Sequence, residues 1–286
     1  MKSFHRRTAR PAPVPHETPA PAVDRHGLQR VDSLLVAQGL APSRTVAQRM
    51  IAAGRVSMAG QPVAKASLEL PGDAPLSITP DDDDRFVSRG GLKLAAALTR
   101  TGLSVAGAAA LDVGQSTGGF TDCLLQAGAA RVIGVEVGHE QLHPRLRHDT
   151  RVVCIEGLNA RNLDRAELGE HMPTAGFDLI VCDASFISLT LLLPRWPALL
   201  APGGSVLALV KPQFETDGPE ALGKGGVVRS ASAHAAIERR IREAATASGF
   251  AVRDWFDSPI TGGGVGKIAG NREFLIWMQH DNHDPH

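Results

Sequence analysis

Four ionisable residues fall at positions where a single α/β sheet would bring them together. Asp183 and Lys211 each follow an apolar run that is typical of a buried strand. If these strands are parallel, both residues lie at the carboxyl edge of the sheet, where open α/β sheets bind ligands. Glu273 begins the last apolar run and reaches the same edge if that strand is antiparallel, and Lys93 lies on a predicted helix before the first strand. Such a group could orient a weak nucleophile, stabilise charge and take up a proton.

A glycine-rich segment separates the first predicted strand from the next helix. Residues 111–120 read Leu-Asp-Val-Gly-Gln-Ser-Thr-Gly-Gly-Phe. Small residues at such a turn let a ligand approach the backbone and the N-terminus of the helix. Asp112 precedes the glycines and Glu136 ends the second predicted strand, and both are acceptors that suit hydroxyl and ammonium groups rather than phosphates. A dinucleotide fingerprint would have glycine at Ser116, so the glycines alone do not identify the ligand.

Short apolar runs alternate with helical patterns from residue 108 onward. The predicted strands are 109–113, 131–135, 152–155, 177–182, 205–210, 250–252 and 273–277. This alternation is typical of a parallel sheet covered by helices on both faces. We therefore predict an α/β fold with a Rossmann-like sheet for residues 89–280, which the last two runs would complete, the final one as an antiparallel strand.

A smaller α+β domain is predicted for residues 28–80. Helical patterns begin at Arg30 and at Ser43, and the second ends at Gly54. Residues 55–63 then read as two strands joined by a turn at Ala59 and Gly60. Basic residues outnumber acidic ones between positions 28 and 70, although the whole chain has a formal net charge of zero. Charge is therefore segregated, and the neutral sum does not exclude a nucleic-acid partner.

The pattern R-V-D-S-L-L-V, followed by G-L-A, S-R-T and G-R-V, resembles the small RNA-binding domain first named for a ribosomal protein of the small subunit, the S-four-type domain. The resemblance implies that basic side chains contact structured RNA through its phosphates and shape. These residues are Arg30, Arg44, Arg49, Arg55 and Lys65. The alternative is that they form only the solvated face of a small domain.

The glycine-rich segment and its acidic neighbours resemble the S-adenosylmethionine site of Rossmann-like methyltransferases. The resemblance implies that the methionine part lies near Gly114, Ser116, Gly118 and Gly119, within a segment that also contains Asp112 and Phe120. It also implies that Glu136 contacts the ribose and that the adenine lies near Glu156, Gly157 and Asn159. Glutamate stands at position 136 where members of this family often have aspartate, which lengthens the arm by one methylene.

The order Lys93, Asp183, Lys211, Glu273 resembles the tetrad of FtsJ-like 2′-O-ribose methyltransferases. Together with S-R-G-G-L-K-L and S-T-G-G-F-T-D-C-L-L, it makes residues 28–280 similar to the TlyA family of rRNA methyltransferases. The resemblance implies methyl transfer from S-adenosylmethionine to the 2′-hydroxyl of cytidine in ribosomal RNA or ribosomal subunits. Lys211 would contact the 2′-oxygen, either as a base or as an electrostatic stabiliser.

Two phenylalanines follow the strand ends in this cluster. Phe186 lies three residues after Asp183, and Phe214 lies three residues after Lys211. Aromatic rings at such positions can stack on an unstacked or flipped base, or belong to the core.

Composition excludes several other classes of protein. No stretch is apolar enough to span a membrane and no signal peptide is recognisable, so we expect a cytoplasmic protein that needs neither a membrane nor an obligate protein partner. The cysteines, Cys123, Cys154 and Cys182, include no C-x-x-C pair, so neither disulfides nor zinc are predicted.

Three segments are predicted to lie outside the two domains. Residues 1–27 are rich in proline, alanine and arginine and predict a disordered tail, and residues 281–286 predict a second tail. Residues 81–88 contain four consecutive aspartates and predict a solvated linker rather than a metal site.

Two glycine-rich loops are unassigned by these patterns. Thr261–Ile268 imitates a phosphate-binding loop but lacks its first glycine and its final serine or threonine, so a flexible loop near the site is predicted. Gly223–Gly226 predicts a similar lid or a simple turn.

Two other functions stay open at this point. One is a non-catalytic RNA-binding or ribosome assembly factor that retains the cofactor fold. The other is a membrane-damaging protein, since members of the resembling family were also called haemolysins.

Overall fold

A computed structural model describes residues 27–41, 43–81, 85–216, 218, 222–223, 225–262 and 270–280. Parts of the predicted tails, of the aspartate linker and of both glycine-rich loops lie outside these ranges. The chain divides into two compact units, Met1–Pro80 and Asp81–His286, which are described separately.

The N-terminal unit combines two helices with five short strands. The helices are α1 (Val31–Ala37) and α2 (Arg44–Ala52), and the strands are β1 (Leu28–Arg30), β2 (Val56–Met58), β3 (Gln61–Pro62), β4 (Glu69–Pro71) and β5 (Leu76–Ile78). β1 pairs with β4, and β2 lies between β3 and β5, all antiparallel. The predicted start of the first helix at Arg30 was wrong by one residue, because Arg30 ends β1 and α1 begins at Val31.

Local sequence explains the turns and caps of this unit. Ala59 and Gly60 both have positive φ, 48° and 79°, which matches the twist of a two-residue hairpin loop. The Ser43 side chain caps α2 by accepting a hydrogen bond from the Val46 N–H at 3.3 Å. Buried Leu34, Leu35 and other apolar residues of both helices form the core.

The C-terminal unit is built on one seven-stranded sheet. Its strands are β6 (Ala109–Val113), β7 (Arg131–Glu136), β8 (Val152–Glu156), β9 (Phe177–Cys182), β10 (Leu200–Val210), β11 (Phe250–Asp257) and β12 (Phe274–His280). Their order is β11-β12-β10-β9-β6-β7-β8, and β12 is antiparallel to both neighbours. The predicted fold class and the antiparallel last strand are confirmed.

Helices cover this sheet on both faces. They are α3 (Gly90–Thr101), α4 (Gly119–Gln126), α5 (Pro144–Arg147), α6 (Arg165–Leu168) and α7 (Ala231–Ala247). One apolar cluster joins α3 and α4 to one face, and a second joins α7 and Trp196 to the other. Alternate residues of β6 explain the division, since Leu111 belongs to one cluster and Ala110 to the other.

The contact between α3 and α4 depends on glycine. A Cβ at Gly119 would contact the Ser88 hydroxyl and would lie 3.0 Å from the backbone nitrogen of Gly91. The Asp122 carboxylate accepts a hydrogen bond from the Val87 N–H at 2.8 Å. These contacts fix the start of α3, the helix that carries Lys93, against α4.

Candidate active site

A cavity of about 720 Å³ opens at the carboxyl ends of the central strands. Five residues that the sequence singled out for the cofactor or for catalysis line it: Gly114, Ser116, Glu136, Asn159 and Asp183. Its volume is typical of small-molecule and cofactor sites. The glycine turn after β6 and the Asp183 side of the tetrad therefore share one cavity.

The carboxylate of Glu136 is held by two backbone N–H groups. Its Oε2 accepts from the Ser116 N–H and its Oε1 from the Gly138 N–H, each at 2.9 Å. Each carboxylate oxygen has a further lone pair, so Glu136 can still accept hydroxyl groups of a ligand.

Asp112 is fully buried next to the glycine turn and does not line the cavity. Its Oδ2 accepts from the Thr121 hydroxyl at 2.7 Å, and that hydroxyl accepts from the Gln115 amide at 2.9 Å. Burial, reinforced by the charges of Asp183 and Glu136, raises the pKa of Asp112 to about 7, although the Thr121 hydrogen bond opposes the shift. Within the described ranges, Oδ1 of Asp112 and Oε1 of Gln115 have no hydrogen-bond donor.

Other residues predicted for the cofactor do not line the cavity. Gly118 and Gly119 approach protein atoms, and Phe120 is buried between α3 and α4. Glu156 accepts a hydrogen bond from the Glu140 N–H at 2.8 Å. Gly157 lies beside His139, since a Cβ there would be 3.1 Å from its ring. These contacts are with protein atoms, and the role of these residues toward the cofactor stays a prediction.

The chemistry of the cavity fits a ligand rich in hydrogen-bond donors and positive charge. Carboxylates of Glu136 and Asp183 line it, and the unpaired oxygens of Asp112 and Gln115 belong to the end of β6 and to the turn that follows. The ammonium, sulfonium and ribose hydroxyls of S-adenosylmethionine match this set of acceptors. Residues that the sequence analysis missed also line the cavity, among them Gln141, Leu158, Arg161 and Leu191.

The four tetrad residues form two ion pairs. Lys93 Nζ lies 2.6 Å from Glu273 Oε2, with only 11% and 3% of the two side chains exposed. Lys211 Nζ lies 2.7 Å from Asp183 Oδ1. A Cβ at Gly90 would lie 3.7 Å from Asp183 Oδ2, so the first turn of α3 reaches the second pair.

Lys211 also contacts the loop that follows β9. Its Nζ donates hydrogen bonds to the Asp183 carbonyl at 3.1 Å and to the Ser185 hydroxyl at 2.8 Å. The contact with Asp183 Oδ1 is close, but its angle lies outside hydrogen-bond geometry. Lys211 Nζ is therefore held both by the loop and by the carboxylate of Asp183.

Phe186 stands out on this loop, which we define as residues 183–188. It is 90% exposed, its φ is 63°, and its ring centroid lies 5.1 Å from that of Phe214. An exposed aromatic residue with positive φ is uncommon. The loop therefore presents an apolar ring at the cavity lining.

Comparison with known proteins identifies the family. The FtsJ-like methyltransferase model matches residues 86–280 and the S4 domain model matches residues 29–74. The chain is 43% identical to YqxC of Bacillus subtilis, described as an rRNA methyltransferase, over 87% of this chain and 85% of that protein. It is 38% identical to TlyA of Mycobacterium tuberculosis, named a 16S/23S rRNA (cytidine-2′-O)-methyltransferase, over 87% of this chain and 89% of that protein. The chain belongs to the TlyA family of FtsJ-like methyltransferases.

A solved structure supports the same conclusion. A protein from Streptococcus thermophilus described as a hemolysin shares 39% identity, covers 90% of each chain and gives a TM-score of 0.69. By family, this chain is thus an S-adenosylmethionine-dependent methyltransferase. Among its described residues, no helix is both long and apolar enough to cross a membrane, and no cluster of His, Cys, Asp and Glu is suited to a metal ion.

The basic residues predicted for RNA lie on the N-terminal unit. Arg30 and Arg44 both bind the buried carboxylate of Asp32, with contacts of 2.9 and 3.0 Å to its Oδ2. The Arg30 hydrogen bonds hold the pKa of Asp32 below its ordinary value, with Gln48 and Arg44 acting in the same direction against the effect of burial. The Arg55 guanidinium donates to the Thr79 carbonyl at 3.0 Å.

Of the five predicted RNA-binding residues, Arg30 and Arg44 are brought together by their shared contact with Asp32. Arg49 and Lys65 are exposed on the same unit.

Proposed function

We propose that this chain transfers a methyl group from S-adenosylmethionine to the ribose 2′-hydroxyl of a cytidine in ribosomal RNA. The observation that carries the proposal is that Asp183, paired with Lys211, lines the same cavity as Gly114 and Glu136. The names of the relatives from Mycobacterium tuberculosis and Campylobacter jejuni support the choice of rRNA and of the cytidine 2′-oxygen.

Bound S-adenosylmethionine supplies an electrophilic methyl group on a positively charged sulfur. Glu136 would accept hydrogen bonds from the ribose hydroxyls of the cofactor, Asn159 would lie on its adenine side, and the backbone of residues 114–116 would line its methionine side. The buried acceptors of Asp112 and Gln115 favour a cation in the neighbouring turn.

The ribose 2′-hydroxyl is a weak nucleophile, so the protein must align it and accommodate its proton. Lys211 donates an N–H to the 2′-oxygen, and the nearby Asp183 carboxylate is the acceptor toward which the proton moves. The contact between Lys211 and Asp183 favours the stabilising role of Lys211 over that of a base. Lys93 and Glu273 form the other ion pair, which ties α3 to the residue before β12.

The N-terminal unit, residues 28–80, binds the RNA and presents it to the catalytic unit, residues 89–280. Arg30, Arg44, Arg49, Arg55 and Lys65 contact its phosphates. Phe186 stacks on the target base, because an exposed ring at the cavity is suited to an unstacked nucleotide. We place this activity in the cytoplasm, where ribosomes are modified.

The decisive experiment uses ribosomal subunits from a strain that lacks its own enzyme of this family. Subunits are incubated with the protein and radioactive S-adenosylmethionine, and ribose methylation is mapped. Wild-type protein should mark a cytidine ribose, whereas Lys211→Ala should bind the RNA and leave no mark. Absence of label with wild-type protein on every rRNA would instead favour a non-catalytic assembly factor, and leakage of liposomes would favour the membrane-damaging alternative.

A further inference from the structure

Glu215 is a buried carboxylate that the sequence analysis did not assign. It is 3% exposed, yet it lies only four residues after Lys211. Its Oε2 accepts from the Ser188 hydroxyl at 2.6 Å and its Oε1 from the Leu189 N–H at 2.7 Å. Glu215 thus holds the far end of the 183–188 loop.

Lys211 holds the near end of the same loop through the Asp183 carbonyl and the Ser185 hydroxyl. Phe186 lies between these two attachment points, and its ring packs against that of Phe214 from the segment that supplies both anchors. The backbone at Phe186 is in the left-handed region, which costs free energy in a residue with a Cβ. Contacts on both sides are needed to keep it there.

The chemistry of Glu215 is suited to this task. Its two carboxylate oxygens engage Ser188, the last residue of the loop, and Leu189, which follows it, so they fix the direction of the loop end as well as its distance. Burial raises the pKa of Glu215, while the hydrogen bonds from Leu189 and Ser188 oppose the shift. The Arg240 guanidinium donates to the carbonyl of Glu215 at 2.9 Å and ties this residue to α7.

We propose that Glu215 is a positioning residue that holds the 183–188 loop so that Phe186 can receive the target nucleobase. This inference rests on the proposed function, since it assigns Phe186 to the RNA substrate. Glu215 itself does not touch substrate or cofactor, and it acts through Phe186. Its loss should therefore impair RNA methylation more than cofactor binding.

The first test compares Glu215→Ala with Glu238→Ala. Glu238 is a matched control because it lies on α7 in a surface pair with Arg242. Losing hydrogen bonds to a buried charge should lower kcat/KM for ribosomal subunits about 10-fold or more in Glu215→Ala. The KM for S-adenosylmethionine should change less than about threefold, and Glu238→Ala should match wild type. Glu215→Gln keeps the acceptor for Leu189 and can donate to Ser188, so it should restore most of the activity.

A double-mutant cycle separates positioning from general damage to the fold. If Glu215 acts through Phe186, Phe186→Ala with Glu215→Ala should be no slower than Phe186→Ala alone. Multiplied effects in the double variant would overturn the proposal, as would a Glu215→Ala variant as active as the control. Should Glu215→Ala fail to fold, Ser188→Ala removes one contact from the loop side and takes its place in the cycle.

Hydrogen exchange tests the same inference without RNA. Peptides covering residues 184–191 should exchange at least about 10-fold faster in Glu215→Ala, because the Leu189 N–H loses its acceptor, and should be unchanged in Glu238→Ala. Equal exchange in both variants would overturn the role of Glu215. Failure of wild-type protein to label RNA would count against the proposed function and not against this measurement.

Discussion

The pair formed by Lys93 and Glu273 allows structural and chemical roles to be separated by one set of variants. Both side chains are almost inaccessible, and their charged atoms lie 2.6 Å apart. Removing one partner of a buried ion pair leaves an uncompensated charge and typically costs about 3–5 kcal/mol. Because Lys93 retains a small exposed fraction, we expect Lys93→Met to lower the free energy of unfolding by about 3 kcal/mol.

The double variant Lys93→Met with Glu273→Gln carries no buried charge at this position. Replacing both partners of such a pair is often close to neutral, so its stability should return to within about 1 kcal/mol of wild type. Methyl transfer should not return, since the proposed site needs both groups. Asp257→Asn is the control, because it breaks an exposed pair with Arg272 and should cost no more than about 1 kcal/mol.

Urea unfolding followed by tryptophan fluorescence is the appropriate assay. The three tryptophans, Trp196, Trp255 and Trp277, all belong to the C-terminal unit, so the signal reports on that unit alone. A loss of about 3 kcal/mol corresponds to a midpoint shift of about 1 M or more. Additive losses in the double variant, or a loss below about 1 kcal/mol in Lys93→Met, would refute the reasoning.

Four further changes test other parts of the structure. Phe186→Gly should leave the free energy of unfolding unchanged or raise it by about 1 kcal/mol, because it relieves a left-handed backbone at an exposed residue. The initial rate of RNA methylation should fall about 10-fold. Urea unfolding measures the first effect, and an unchanged initial rate would contradict the stacking role of Phe186. Gly119→Ala should destabilise the C-terminal unit by about 1–3 kcal/mol, since the added Cβ would lie 3.0 Å from the backbone nitrogen of Gly91. A urea midpoint equal to that of wild type would contradict this and show that α3 and α4 can move apart. The raised pKa of Asp112, about 7, lies above its ordinary value of 3.8, so wild type should lose stability as pH rises from 3.8 through 7. Asp112→Asn should remove that loss. Parallel curves of stability against pH for the two proteins would contradict this prediction. The pKa of Asp32 is lowered instead, so its contribution to stability should be full above pH 3.8 and should decline as pH falls below that value. Asp32→Asn should therefore speed hydrogen exchange in α1 and α2 more at pH 6 than at pH 2.

The sequence predicted the sheet well because buried parallel strands have a simple pattern. The run Phe177–Cys182 is observed with the predicted bounds, and the run from Arg131 is longer by one residue. Strand β10 begins at Leu200, five residues earlier than predicted, where Pro202 and two glycines concealed the start. Three-residue strands such as β5, and the distant pairing of β1 with β4, leave almost no periodic signal and were not predicted.

The candidate site was predictable where function depends on position at a strand end. Asp183 and Lys211 could be placed by topology alone, because carboxyl ends of parallel strands meet at one edge. Gly118 and Gly119 illustrate what sequence could not separate, since the same glycine pair would serve either ligand approach or helix packing. Only the three-dimensional structure shows that Ser88 fills the space beside Gly119.

Glu215 was missed for a related reason. Its partners, Ser188 and Leu189, lie 27 and 26 residues away along the chain, and one of them offers only a backbone group. No spacing rule connects a carboxylate to an N–H on another loop, so this contact had no signature in the sequence.

The sharing of one carboxylate by Arg30 and Arg44 affects how ionic strength should act on this protein. RNA that engages these guanidinium groups must compete with Asp32, which already neutralises part of their charge. The number of counterions released on binding would then be smaller than the five basic residues suggest. Affinity would consequently decline less steeply with added salt than a count of arginines and lysines implies.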